Sequence, residues 1–247
     1  MNVDEAYRRC EEITRAEARN FSWGIRLLPP PKRAAMSALY AMARRIDDVG
    51  DGDASTPVKL AALADIRKDL ADLADVADSP GSGGNDPVLV ALADTLTRYD
   101  LPMAALDQLV EGCEMDVQGT RYETFDDLLG YCRRVAGTVG RLSLSIYGST
   151  DRSAAEPMAD ALGVALQITN ILRDVVEDHD TMGRVYLPVA DRERFGVDGD
   201  LSGDPDSLVA LICCGMMPYW SGWLYCWPSW MPHHNMRTMA SALARSM

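Results

Sequence analysis

Oxygen-bearing side chains recur on a helical period at two places in the chain. In QITNILRDVVEDHDTMGRVYLP, residues 167–188, Gln167, Asn170, Asp174 and Asp178 follow one another at intervals of three, four and four. Those intervals place side chains on one face of a helix. Asp174 and Asp178 repel each other there, so the row calls for a cation, and carboxylate and amide oxygens suit a hard one such as magnesium. A solvated acidic face is the plainer account of any two Asp four apart. Ile168, Ile171, Leu172 and Val175 flank this pair, however, and an acidic row on a helix that belongs to a core lines a cavity more readily than it faces bulk water.

A second row lies far upstream. In ALYAMARRIDDVGDGD, Tyr40, Arg44, Asp47 and Asp51 fall at four, three and four, again one stripe. Taken alone, Asp47 to Asp53 also reads as a helix end running into a glycine turn. Each row carries an arginine, Arg44 in the first and Arg173 in the second. Carboxylates hold a divalent ion, the ion holds a diphosphate, and guanidinium groups take the remaining phosphate oxygens through their fork of donors.

These segments, with ARNFSWGIRLLP (Ala18 to Pro29) and YCRRVAGTVG (Tyr131 to Gly140), resemble the head-to-head prenyl synthases that make squalene, dehydrosqualene, phytoene and presqualene diphosphate. A lone DxxxD says little; the second acidic row with its leading Gln and Asn and its trailing GRVYLP is specific. The resemblance spans about residues 5–205, and RRIDDVGDG is most similar to the bacterial presqualene diphosphate synthases. It implies an all-α, single-domain isoprenoid synthase-type bundle with a central cavity, the two acidic rows facing each other across its mouth. It implies magnesium held by Asp47, Asp51, Asn170, Asp174 and Asp178. Tyr40, Arg44, Tyr131 and Arg173 are then assigned to the reaction, with Tyr131 near the reacting carbons. Glu17, Ala18, Arg19 and Asn20 border a diphosphate, Phe21 lines the prenyl tunnel, and Gln167 and Arg184 contact substrate. The expected reaction joins two farnesyl diphosphates into presqualene diphosphate; phytoene from two geranylgeranyl diphosphates comes second, and a non-catalytic relative is the rival.

The elements that must position these residues are helical. Leu60, Leu63, Ile66, Leu70 and Leu73 recur at helical spacing between Pro57 and Ala77, with a solvated acidic face. Pro29, Pro30 and Pro31 end one helix, and Lys32 or Arg33 opens the next. Residues 79–86, SPGSGGND, read as a loop inside one domain. Helices are expected over Pro87 to Arg98, from Pro102 to Asp116, and from Pro157 through Asp178. Asp116, ahead of Arg121 and Tyr122, either orders a diphosphate or is a surface carboxylate. Ala136, Gly137, Gly140 and Ser143 either let helices pack closely or leave room beside a long ligand; glycine within a helix costs roughly 1 kcal/mol against alanine. Phe21 and Trp23 read as core side chains unless the tunnel claims Phe21, Arg184 can close over phosphate, Tyr186 can pack or donate a hydrogen bond, and His179 reads as a surface residue.

Composition narrows the class further. A net charge of -13 argues against nucleic acid, whose phosphates need a basic footprint. An anionic substrate must then be drawn in by metal ions and local arginines. Six cysteines without metal-ligand spacing point to reduced thiols in the cytoplasm, and an apolar product would bring the chain to the inner face of a membrane as a peripheral protein.

The chain changes character near its end. All 37 acidic residues lie within the first 206, and none follows. Residues 207–236 hold no charged side chain, and four of the five tryptophans lie at Trp220, Trp223, Trp227 and Trp230. This divides the chain into a prenyl synthase domain, 1–206, and an aberrant tail, 207–247. Either the tail is a bilayer or interfacial segment, interrupted by Pro218 and Pro228, or the reading frame is displaced near Leu211 and foreign sequence replaces closing helices.

Overall fold

The computed structural model describes residues 1–18, 21–75, 85–201 and 205–212. The expectations placed on Arg19, Asn20, the side chain of Phe21, most of the loop at 79–86 and the tail beyond residue 212 lie outside them. Every regular element among the described residues is helical: α1 (Val3–Glu17), α2 (Phe21–Arg26), α3 (Pro30–Asp51), α4 (Thr56–Asp75), α5 (Pro87–Arg98), α6 (Met103–Val117), α7 (Phe125–Cys132), α8 (Thr138–Tyr147), α9 (Arg152–Arg173), α10 (Val175–Met182), α11 (Val189–Phe195) and α12 (Pro205–Ala210). One π-helical turn, Arg133–Gly137, joins α7 to α8.

The largest core forms where α3 packs between α1, α5 and α6, around fully buried Met42, Ile46, Leu92 and Leu106. Tyr7 fastens α1 to α5 through Asp94 (2.7 Å) and Thr95 (3.0 Å). Arg45 fastens α3 to the same helix at its N-cap, Asp86 (2.8 Å), whose carboxylate also accepts the amides of Val88 and Leu89. A second core joins α7 and α9 around Leu128, Tyr131, Val164 and Ile168. A third gathers Val175, Leu187, Val197 and Leu211. Leu211 is fully buried, so the packed chain runs past residue 206 to at least that point.

Three helix boundaries differ from the sequence expectation. Helix α3 opens at Pro30 rather than at Lys32 or Arg33, because proline is well suited to the first helical positions, where its missing N–H would be unpaired in any case. Helix α9 opens at Arg152, with Pro157 inside it. The Asp151 carboxylate accepts the amide of Ala154 (3.1 Å), a side-chain cap that starts the helix before the proline. The third difference is a break at Asp174, where the φ,ψ pair of -104°, 12° separates α9 from α10. The i to i-4 bonds nevertheless continue across it, from Asp174 N to Asn170 O (2.9 Å) and from Asp178 N to Asp174 O (2.8 Å).

The small residues of α7–α8 serve close packing. A Cβ on Gly140 would stand 2.1 Å from the carbonyl oxygen of Ala159, and one on Gly137 would stand 2.5 Å from the Asp160 carboxylate. Backbone thus meets backbone at Gly140, where α8 crosses α9, and the π turn meets the Asp160 side chain at Gly137, so the close-packing alternative accounts for both glycines.

Candidate active site

A cavity of about 240 Å³ opens between α3, α6, the α7–α8 segment and α9. Tyr40, Arg44, Asp47 and Asp51 reach it from α3, Tyr131 from α7 and Gln167 from α9, and Arg184 enters from the loop after α10. Ala43, Ile46, Leu109, Val135 and Val139 supply an apolar wall. Eight of the residues singled out in the sequence, Asp116 of α6 among them, therefore share one hollow. Asn170, Arg173, Asp174 and Asp178 sit outside its immediate lining. Asn170 is exposed, and Arg173 lies flat along its neighbour Asp174, with hydrogen bonds of 2.6 and 2.5 Å. Ala18 is 3% exposed and takes no part in the lining, while Glu17, at the end of α1, is close enough for its charge to act on Arg44 and Tyr40.

Arg184 links the two acidic rows. It follows Gly183, whose φ of +64° ends α10 in the left-handed region where glycine is at ease. Its guanidinium donates to Asp51 (2.9 Å) and to the Gly50 carbonyl (3.3 Å), and its charge also acts on Asp47, Asp116 and Asp178. Burial works against that charge, yet Tyr186, Asp116 and Asp51 outweigh it and hold Arg184 above its ordinary pKa. The rows thus belong to one electrostatic unit, and Asp51 of the first acts directly on Asp178 of the second.

The carboxylates hold more negative charge than their arginines cancel. Burial, then the charge of Asp174, raises Asp178 to about 6. Burial within the cleft, then the charge of Asp51, raises Asp47; its side chain is 60% open to solvent, so the walls of the cleft act on a group whose own surface faces the opening. Asp47 and Asp48 share Arg44, at 3.4 and 2.7 Å. Oxygen donors with surplus negative charge fit a hard divalent cation. Among the described residues no three acidic, His or Cys side chains form a closed cage.

Behind the acid rows lies a buried network of phenols. Asp116 accepts from Tyr131 (2.8 Å) and Tyr186 (3.0 Å), and the rings of Tyr122, Tyr131 and Tyr186 stack or tilt together with centroids 5.3 to 6.3 Å apart. Burial raises Asp116 to about 6, against the pull of Arg184 and of both phenols. Asp116 is therefore an interior group of the site, and Tyr186 both packs and donates. His179 is half-buried on the wall of a second, larger hollow of about 620 Å³ that shares Gly50, Asp116 and Arg184 with the first. Sequence reasoning passes over Lys59, whose ammonium donates to the Gly50 carbonyl (2.8 Å). No local pattern marks a lysine in the first turn of an amphipathic helix.

A helical bundle that turns the Asp47–Asp51 row, Arg44, Arg184 and a buried tyrosine toward a half-apolar hollow has the makings of a prenyl-transferring synthase. Residues 14–213 match the squalene/phytoene synthase family, and the chain belongs to it. Members are prenyltransferases that condense prenyl diphosphates head to head with the help of divalent metal. Phytoene synthase of Mycobacterium tuberculosis is 43% identical over 249 residues, covering 99% of this chain and 79% of that protein. 15-cis-phytoene synthase of Synechococcus elongatus is 39% identical over 205 residues, 78% of this chain and 64% of that one. Among solved structures, a ligand-bound dehydrosqualene synthase superposes with a TM-score of 0.78 at 30% identity, covering 98% of this chain and 84% of its own. Squalene synthase HpnC from Alicyclobacillus acidocaldarius superposes at 0.75 and 28%, covering 98% and 89%.

Proposed function

We propose that the chain joins two prenyl diphosphates head to head in the cavity between α3 and α9, releasing one diphosphate. The observation that carries this reading is the meeting of Tyr40, Arg44, Asp47, Asp51, Tyr131, Gln167 and Arg184 around one hollow. Asp47 and Asp51 on one side, and Asn170, Asp174 and Asp178 on the other, would hold magnesium. When bound, the metal withdraws electron density from the leaving diphosphate. Arg44, Arg173 and Arg184 add fixed positive charge where the leaving group gains negative charge. Tyr131, 2% exposed and anchored on Asp116, presents a rigid ring beside the reacting carbons. Ile46, Leu109, Val135 and Val139 keep water from an allylic cation. The double bond of the second molecule attacks that cation, and loss of a proton closes a cyclopropane.

Substrate length is the finer question. The phytoene synthase names of the curated relatives favour two geranylgeranyl diphosphates, ahead of the farnesyl pair that the sequence ranks first. The dehydrosqualene and squalene synthase structures keep the farnesyl pair as the second reading. Incubating the purified chain with each labelled diphosphate and magnesium, then identifying the hydrocarbon skeleton, separates them. Failure to release diphosphate from either would favour a non-catalytic relative.

We also infer that residues 207–247 replace a closing segment. The family match ends at residue 213, which supports this, while the mycobacterial alignment over 99% of the chain weighs against it. Sequencing the coding DNA decides, since a neighbouring frame without an amphipathic, charged helix pattern would rule out a shift.

A further inference from the structure

The hollow of about 620 Å³ meets the reaction cavity at Gly50, Asp116 and Arg184, and its other walls have no part in the reaction proposed above. Its volume is that of a small-ligand site. Its charge is unlike that of the chain as a whole. Lys59, Arg121, Arg184 and Arg192 are among its lining residues, against two carboxylates, Asp116 and Asp200, in a protein of net charge -13.

Neutral acceptors hold most of these cations in place. Lys59, in the first turn of α4, donates to the Gly50 carbonyl at 2.8 Å, and Arg184 donates to the same oxygen at 3.3 Å. Two cationic nitrogens therefore stand within about 6 Å of each other, joined by an acceptor that takes hydrogen bonds without cancelling charge. Arg184 has Asp51 as a counterion at 2.9 Å. The amides of Val189 and Ala190 donate to the carbonyls of Tyr122 and Glu123 (2.9 and 3.1 Å), which ties the start of α11 to the loop that follows α6. Arg121 comes from that loop and Arg192 from that helix. Arg192 donates its Nε–H to the Leu187 carbonyl at 3.2 Å, and Arg121 makes no hydrogen bond or ion pair among the described residues. Lys59, Arg121 and Arg192 thus line one hollow, none with an ion pair among the described residues. An anion relieves the repulsion among them, a concavity lined by one sign of charge focuses its field on such a ligand, and guanidinium and ammonium groups are donors suited to phosphate oxygens.

We propose that this hollow binds inorganic diphosphate through Lys59, Arg121 and Arg192, and receives it from the reaction cavity past Arg184. The transfer, though not the binding, rests on the head-to-head reaction proposed above. A diphosphate released beside carboxylates is driven toward the nearest surplus of positive charge, and among the described residues Arg184 is the one cation common to both linings.

Titration calorimetry of the full chain with sodium diphosphate in EDTA reads the site by itself, because without a divalent ion the acid rows repel the anion. One-to-one binding is expected, weakening with added salt. Arg121→Glu and Lys59→Gln should each weaken it about ten-fold or more, the scale of one charge-assisted contact. Arg194→Gln, on α11 but outside the lining, and Asp47→Ala should not weaken it. Thermal melts identify any loss that comes from unfolding, and Arg121→Glu, which breaks no bond among the described residues, should melt near wild type. In a single turnover with prenyl diphosphate and magnesium, Arg121→Glu should leave the rate of carbon–carbon bond formation unchanged. Diphosphate should then reach a coupled pyrophosphatase after a longer lag than in wild type. No binding in EDTA, or equal affinity in Arg121→Glu and wild type, would overturn the site, and an unchanged lag would overturn the exit route. A chain that binds diphosphate yet releases none from either prenyl substrate would overturn the reaction and the exit route with it, and leave the binding site standing.

Discussion

Gly163 sits where α9 presses on the π turn, and replacing it with alanine tests whether that contact sets the width of the cavity. A Cβ there would lie 2.2 Å from the carbonyl oxygen of Ala136, 2.6 Å from its carbon and 2.9 Å from the nitrogen of Gly137. All three atoms are backbone, so no rotamer change can relieve the clash. Restoring ordinary contact distances requires the helices to separate by roughly 1 Å. Overpacking of this kind costs about 1–3 kcal/mol, and the clash with rigid backbone places Gly163→Ala at the upper end. The gain from putting alanine in a helix, about 1 kcal/mol, offsets part of it. A net loss of about 2 kcal/mol lowers the melting temperature of a domain this size by roughly 4–8 °C. Gly24→Ala is the control: nothing lies within 4 Å of its Cβ, so its melting temperature should hold or rise. The displacement also carries Gln167, one turn along α9, away from Tyr131, and a misplacement of about 1 Å can cost on the order of 100-fold in rate. Calorimetry and single-turnover kinetics on the folded fraction read the two effects separately. A Gly163→Ala protein that melts at or above the wild-type temperature would refute the backbone-contact account.

Other expected outcomes concern charge. Arg184→Gln removes the group that joins the acid rows and should lower metal-free stability by about 1.5–3 kcal/mol, the scale of a hydrogen bond to a charged partner; urea titration checks it, and an unchanged midpoint would count against the linking role. Asp116 and Asp178 are each raised to about 6 by burial first, so the folded chain binds their protons more tightly than the unfolded chain does. Metal-free stability should therefore rise as pH falls from above 6 toward 4, and be lost as pH rises through 6; melts at pH 5.5, 6.5 and 7.5 should show this slope, and Asp116→Asn should flatten it. Asp47→Ala and Asp174→Ala should each abolish diphosphate release while leaving circular dichroism near wild type, and extensive unfolding in either would favour a structural role for the acid rows. Tyr131→Phe, which leaves Asp116 with one phenol partner instead of two, should cost about 1–3 kcal/mol in the same urea assay.

Elements with a local cause were legible in the sequence. Helix α5 runs over Pro87–Arg98 as expected, because Asp86 caps it and its apolar period is uninterrupted. The Asp47–Asp51 stripe could be read because three- and four-residue intervals describe a helix face whatever the tertiary setting. What escaped depends on hydrogen-bond register or on distant partners. Apolar periodicity does not distinguish a π turn from an α turn, and it gave no warning of the break at Asp174. Arg184 and Asp51 are 133 residues apart, so their pairing has no local signature. Trp23, 67% exposed, went astray because size and hydrophobicity favour burial, whereas in the short α2 it is Ile25 that turns inward.

The π turn at Arg133–Gly137, closed by the bond from the Thr138 amide to the Arg133 carbonyl, carries one more residue than an α-helix would need for the same rise. Deleting Ala136 would remove the residue that this wide turn absorbs, so an unbroken α-helix could form with Val139 still on the cavity wall and Gly140 still against Ala159. A residue added to α8 would have no such turn to absorb it and would rotate everything downstream by about 100°. The segment should consequently tolerate the loss of one residue far better than the gain of one.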